Sequence, residues 1–357
     1  MKSLQELLAS DWGSIRIGNK VYSVRLFVTV AGAALWFGSM LVKTGTAGIV
    51  SIWTSFLFLG PLVAIGSATR TVTLRQLISL CFLGGFMMGA AVIVINAVMP
   101  TTITRNVMVP PLEETFKIAP VLFLLWRWRV GRLWTLAATD VLLLAAASGT
   151  GFGVVEDAYI RHRFGWPAHL DWLPIVQMTG GRVIAGHAIW TALAGATIGL
   201  ALLFRSRRIL ALLLGVSGFA LAIFDHVADN LGAYEGSRNP NTLASIMNRI
   251  GAHGYLVLYL FLVVALVVLA ADLYVVSVAL PDLPELKPPS RWLGFRAKWS
   301  FSLPKRAFAH AVFQYRQSTG PGRAEAICSA MQLDAWFQKI HFLDAQAPSP
   351  PAAAKAV

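Results

Sequence analysis

Long apolar stretches separated by short polar turns set the pattern of this chain. Eight such runs occur, near 26–42, 48–68, 77–99, 110–126, 135–156, 183–204, 209–229 and 252–279. A run of about 20 apolar residues crosses a bilayer as a helix, because a helix satisfies its own backbone where no water can. The pattern therefore predicts an all-α fold, a polytopic membrane helix bundle of about eight transmembrane helices. The first and fourth runs are short and need a thin local bilayer, little tilt or apolar flanks to span.

The flanks differ from the runs. Residues 1–25 read as an amphipathic, basic N-terminus lying on a membrane face, 26–280 as the transmembrane bundle, and 281–357 as a basic tail. The boundary near Leu280 is marked by PDLPELKPPSRW, where proline and charge replace apolar residues. Lys287, Arg291, Arg296, Lys298, Lys305 and Arg306 form a juxtamembrane stretch suited to anionic lipid. Residues 308–342 hold enough apolar side chains for a helix or two, and AQAPSPPAAAKAV reads as a disordered end.

Composition adds to this picture. Of 357 residues, 56% are hydrophobic and 13% charged, with mean hydropathy +0.64, which excludes an ordinary soluble protein. The net charge of +13 lies in turns and tail, so it reads as topology and headgroup contact, with no nucleic acid partner. Cys81 and Cys328 give neither a disulfide framework nor a CxxC pair and read as packing residues. MKSLQELLASDW lacks the basic, apolar, small-residue order of a cleaved signal, so Met1 is expected to stay. Arg127, Arg129 and Arg132 fill one turn, Arg205, Arg207 and Arg208 another, and Arg70 with Arg75 a third. Placing these turns inside puts both termini in the cytoplasm.

Ionisable groups at membrane depth mark function by default. The fourth run opens PPLEETFK, with Glu113 and Glu114 adjacent and Lys117 one turn on. Locally this reads as a helix N-terminus, prolines first and carboxylates in the first turn, with Glu113 and Lys117 paired at i,i+4. The fifth run ends GTGFGVVEDAY, setting Phe152 and Glu156 one turn apart; the local alternative is an interfacial carboxylate facing Arg161. In the sixth, RVIAGHAIWTALAG, His187 stands about one turn in, where a lone histidine is more often structural. The seventh ends FALAIFDHVADN, crowding Asp225, His226, Asp229 and Asn230 into two turns, with His226 and Asn230 on one face.

Depth joins these groups. At 1.5 Å per residue, His187 lies roughly 27 Å from Arg205, His226 roughly 27 Å from Arg208, and Glu113 roughly 21 Å from Arg127. Glu156 lies roughly 36 Å from Arg132, or roughly 24 Å from Asp140 if that residue marks the inner boundary. Four helices thus bring carboxylates and imidazoles to one level in the outer part of the bilayer. Such a set can activate water against an amide in two ways. In one, Glu156, His187 and His226 hold a metal, zinc by ligand type, and Glu113 or Glu114 is the general base. In the other, Glu113 and Glu156 polarise water without a metal, while His226 and Asn230 stabilise the oxyanion. Lys117 keeps one of the paired glutamates ionised in either case.

EETFK at 113–117, FGVVE at 152–156, His187 and HVADN at 226–230 resemble, in this order on four successive helices, the PrsW-type intramembrane proteases. These are similar to the type II CAAX prenyl endopeptidases, which would carry an arginine one residue beyond Lys117 and a histidine in place of Glu156. The resemblance covers about residues 75–275 and implies an endopeptidase of the bacterial cytoplasmic membrane that cleaves a membrane-bound protein at its extracytoplasmic side. In the best-known members the substrate is an anti-sigma factor. It also implies that Glu113, Glu114, Lys117, Glu156, His187, His226 and Asn230 carry the chemistry. A proton- or ion-coupled transporter is the alternative class, and an inactive membrane scaffold a third. Against the transporter, the polar groups gather at one end, with Asp140 and Asp272 the acidic residues near the other.

Overall fold

The structure is a computed structural model that describes residues 14–17, 20–23, 38, 42–98, 102–128, 132–164, 176–179, 182–231, 242–279 and 303–317. The predicted first run, at 26–42, falls almost wholly outside the described residues, as do Cys328 and most of the tail. The helices are α1 (Thr46–Gly66), α2 (Leu74–Val98), α3 (Thr102–Arg127), α4 (Ala138–Phe164), α5 (His187–Leu203), α6 (Arg208–Asn230), α7 (Thr242–Ile250), α8 (Tyr255–Ala279) and α9 (Leu303–Gln317). Among the described residues, five segments are long and apolar enough to cross a membrane: Gly48–Gly66, Leu74–Ile95, Ala138–Tyr159, Arg208–Asn230 and Ala252–Val278. Helix α5 is apolar but shorter.

The helical expectation needs one correction. Two antiparallel hairpins are present, β1 (Ser14–Ile17) with β2 (Lys20–Ser23), and β3 (Val176–Thr179) with β4 (Arg182–Ala185). The second takes in the start of the predicted sixth run, whose apolar Val183 and Ile184 belong to a strand; α5 begins only at His187.

Helix α4 is the centre of the bundle, its spanning stretch buried from Ala138 to Val155 among α1, α2, α3 and α5. Small residues make that possible, because without a hydrophobic drive in lipid, helices associate by close packing. A Cβ on Gly84 would stand 1.9 Å from the Ser148 carbonyl oxygen, and one on Gly151 would stand 1.7 Å from that of Cys81. Backbone meets backbone at both points, so α2 and α4 touch without side chains between them.

The N-terminal end of α4 is held by two buried carboxylates. Asp140 accepts hydrogen bonds from the Thr71 amide (2.6 Å) and hydroxyl (2.5 Å), the Val72 amide (2.9 Å) and the Ala137 amide (2.8 Å). Asp272, reaching across from α8, accepts from the amides of Ala138 (3.0 Å) and Thr139 (2.6 Å) and from the Thr139 hydroxyl (2.6 Å). Both satisfy donors that a helix start or a turn leaves unpaired and sit well at the positive end of a helix. They cap structure; they do not line a path through the bundle.

Part of the tail packs on the same end. Helix α9 lies against α8 and the 3-10 helix Arg132–Thr135. Arg306 Nη1 donates to the carbonyls of Ser67 (2.5 Å) and Arg70 (3.0 Å), where α1 ends with acceptors to spare. His310 is fully buried, its Nε2 3.8 Å from Asp272 Oδ1, and burial pushes its pKa down to about 4. The change of composition at Leu280 therefore does not mark the last chain to pack on the bundle.

Candidate active site

Helix α3 departs from its predicted shape in a way that positions the site. It begins at Thr102, so Pro110 and Pro111 lie inside it and the glutamates are not in a first turn. Proline has no N–H, so the carbonyls of Asn106 and Val107 lose their usual helical donors there. The pair reads as a start signal because proline is favoured at the first helical position, and the polar stretch before it hides the preceding turns. Glu113 and Glu114 thus sit in the middle of a 26-residue helix, buried among its neighbours.

Lys117 is wholly buried and pairs with Glu114, at i,i+3, rather than with Glu113 at i,i+4. Its Nζ also lies 2.7 Å from His187 Nδ1, and it faces the rings of Phe152 at 5.1 Å and Trp190 at 5.2 Å. The backbone at Lys117 is tied down by Ser148, whose hydroxyl donates to its carbonyl at 2.6 Å. Burying an ammonium is costly unless it is paired and hydrogen-bonded, and here both conditions are met.

His187 is the first residue of α5, not a turn inside it. Gly149 on α4 lets it approach, since a Cβ there would stand 2.6 Å from the His187 carbonyl oxygen. His187 Nε2 lies 2.7 Å from Glu156 Oε2, yet that oxygen has no hydrogen-bond partner in suitable geometry. On α6, His226 Nδ1 lies 2.9 Å from Glu114 Oε1, and its Nε2 faces Glu113 Oε2 at 3.5 Å. Glu114 therefore touches both Lys117 and His226 through one oxygen, and Glu113 is left facing the interior of the cluster. Asn230, one turn beyond His226, is half-buried and makes no hydrogen bond to the cluster among the described residues.

Six of the seven residues singled out from the sequence meet in one contiguous cluster fed by four helices. Two further residues belong to it. Trp190 stacks on His226 with centroids 4.2 Å apart and planes 17° from parallel, and meets His187 edge-on at 5.2 Å. Its Nε1 donates to Asp225 Oδ2 at 2.8 Å. The signal for Trp190 was its place three residues after His187, on the same helix face.

The residues present fit a metal ion. One donor atom each from Glu113, His187 and His226 lies within 4.8 Å of the other two. The 3.5 Å between His226 Nε2 and Glu113 Oε2 is close to the roughly 3.3 Å that two ligands about 2 Å from one tetrahedral ion would have. Glu114 at His226 Nδ1 orients that ring and leaves Nε2 facing inward, as second partners of metal-bound histidines do. The Glu156 carboxylate, 2.7 Å from His187 Nε2, adds negative charge that a nearby cation would neutralise. The three donors within reach of one another are Glu113, His187 and His226, and Glu156, the carboxylate expected beside the histidines, borders them through His187.

Residues 57–270 match the family model of the PrsW family intramembrane metalloproteases. Neither curated proteins nor solved structures gave a match. The matched span takes in more than half of the chain and every helix that supplies the cluster, and the chain belongs to the PrsW family of intramembrane metalloproteases.

Proposed function

We propose that this intramembrane protease cleaves its membrane-protein substrate near the extracytoplasmic face, with Glu113, His187 and His226 holding a zinc ion and Glu156 acting as general base. The observation that carries the reading is the gathering of three inward donors within 4.8 Å beside the half-buried carboxylate of Glu156, whose Oε2 lies 2.7 Å from His187 Nε2. Two imidazoles and a carboxylate match the ligand habits of zinc and leave a fourth position open. A zinc ion bound there supplies Lewis acidity, polarising the scissile carbonyl and making water reactive at neutral pH.

The chain's own residues do the rest. Glu156 takes a proton from the attacking water as its oxygen bonds to the carbonyl carbon, and returns it to the amide nitrogen as the C–N bond breaks. Glu114 and Lys117 do not touch the substrate; they fix His226 and His187. The Asn230 side-chain amide, one turn from His226, donates to the developing oxyanion in this reading. The substrate segment unwinds before cleavage, because a helical amide is hydrogen-bonded and shielded.

Location follows from charge. His187 opens α5, whose far end runs into Arg205, Arg207 and Arg208, and His226 lies at the end of α6 away from Arg208. With arginine-rich turns inside, the cluster opens toward the outer face and both termini are cytoplasmic. The resemblance to PrsW-type proteases makes a bacterial cytoplasmic membrane the setting and a membrane-bound anti-sigma factor the first substrate to try.

The test uses purified protein in lipid, offered a library of single-span peptides, with zinc content measured alongside cleavage. Glu156→Gln is expected to keep zinc and lose cleavage, and Glu113→Gln to lose both. Cleavage indifferent to both substitutions would end the reading. Zinc lost from Glu156→Gln but kept by Glu113→Gln would restore the assignment with Glu156 as ligand.

A further inference from the structure

Trp190 is an aromatic residue of the apolar core with no reactive atom, yet it also borders Lys117, His187, Asp225 and His226. It is 2% exposed, and its indole lies flat on the imidazole of His226. A buried indole N–H needs an acceptor, and Asp225, itself fully buried, provides it at 2.8 Å. Asp225 is the residue before His226 in the chain. Neighbours on a helix point about 100° apart, so Asp225 cannot itself steady the adjacent ring. Through the indole it can.

The geometry points to a Trp190–Asp225 pair that sets the angle of the His226 ring, making both of them positioning residues for the site. An imidazole turns about one terminal bond, and that torsion has broad wells. Glu114 holds Nδ1 at a single point, which leaves the ring free to rock about that contact. A flat indole 4.2 Å away removes the rocking, provided the indole is itself fixed. The bond to Asp225 fixes it, by pinning the Nε1 edge to α6 while the Trp190 backbone belongs to α5. Nε2 of His226 is then held facing Glu113. The same indole closes on His187 with its edge and on Lys117 with its face, so one ring borders three groups of the cluster.

The inference rests on the reading of His226 as a zinc ligand, and the experiment separates the two. Two conservative substitutions keep the packing: Trp190→Phe retains a flat ring without the N–H, and Asp225→Asn retains an oxygen that accepts from the indole. Each is purified, checked by thermal melting, and assayed for zinc affinity against a chromogenic chelator and for kcat and KM on a cleaved single-span peptide. Trp190→Phe is expected to bind zinc about 10-fold more weakly, in the range found when partners of metal-bound histidines are removed. Its kcat is expected to fall about 10-fold with KM unchanged, because the substrate does not touch the indole. Asp225→Ala, which removes the acceptor, is expected to match the Trp190→Phe loss of zinc affinity and kcat, and Asp225→Asn, which keeps a neutral acceptor oxygen, to recover part of it. Wild-type zinc affinity and kcat in Trp190→Phe would overturn the proposal, as would wild-type values in Asp225→Ala. His226→Ala serves as the reference. If it leaves zinc binding intact, the metal assignment fails; if it abolishes binding while Trp190→Phe does not weaken it, only the positioning role fails.

Discussion

Lys117 on α3 and His187 on α5, seventy positions apart, meet at 2.7 Å between Nζ and Nδ1. An ammonium donates and cannot accept, so His187 receives at Nδ1 and carries its own proton on Nε2, the atom that faces Glu156. Any ion taken up at Nε2 replaces that proton. Zinc binding is therefore expected to release a proton, and zinc affinity to weaken by about tenfold per unit fall in pH for the one proton displaced. Titration calorimetry in buffers of different ionisation enthalpy measures the release; a pH-independent affinity would show that His187 is not displaced from its proton.

Removing the cation should be costlier than removing any carboxylate it serves. Lys117→Met leaves Glu114 buried with His226 as its remaining polar contact, and breaking a buried pair from one side costs about 3–5 kcal/mol. Lys117→Arg is not expected to rescue it, because a planar guanidinium does not fit where a compact ammonium reaches both an oxygen and a ring nitrogen. Thermal unfolding in detergent measures the loss, and a Lys117→Met protein as stable as wild type would show that the ion pair contributes nothing.

The contact between α2 and α4 tolerates no added atom. A Cβ at Gly84 would fall 1.9 Å from the Ser148 carbonyl oxygen, which is backbone and cannot swing aside. Gly84→Ala is expected to destabilise by about 1–3 kcal/mol or more through forced separation of the helices. It should also lower cleavage, because Ser148 holds the carbonyl of Lys117. Melting temperature and turnover, measured together, should fall together; loss of neither would refute the backbone contact.

Docking of α9 should respond to acid. His310 is fully buried with its pKa depressed to about 4, against about 6.5 in an unfolded chain, because burial outweighs the attraction of Asp140. The undocked helix binds the proton more readily, so docking is strongest above about pH 6.5 and weakens as pH falls toward 4, by on the order of 3 kcal/mol. Limited proteolysis of the 303–317 segment across that range reports it. His310→Leu should remove most of the pH dependence.

Much of the site was legible because its signals are chemical. Charge inside apolar runs, and the similar depth of Glu113, His187 and His226 from their arginine anchors, are properties of composition and helix rise. What stayed hidden depends on close approach. Pro110 and Pro111 read as a helix start, and nothing local reveals that Thr102 to Val109 continue the same helix ahead of them. The choice of Glu114 over Glu113 as partner of Lys117 turns on which helix face meets α5, a matter of packing. A helix was expected from residue 308, but its docking on the bundle was masked by its basic residues, since Arg306 reads as a lipid contact until the carbonyls of Ser67 and Arg70 are seen beside it.

The cluster draws on α3, α4, α5 and α6, which follow one another in the chain. Synthesis delivers them in that order, and His226 comes last. A nascent chain can therefore pair Glu156 with His187 once α5 is made, but leaves Glu113 and Glu114 without His226 until the fourth of these helices is inserted. Until then the cluster lacks one of the three side chains whose donors converge.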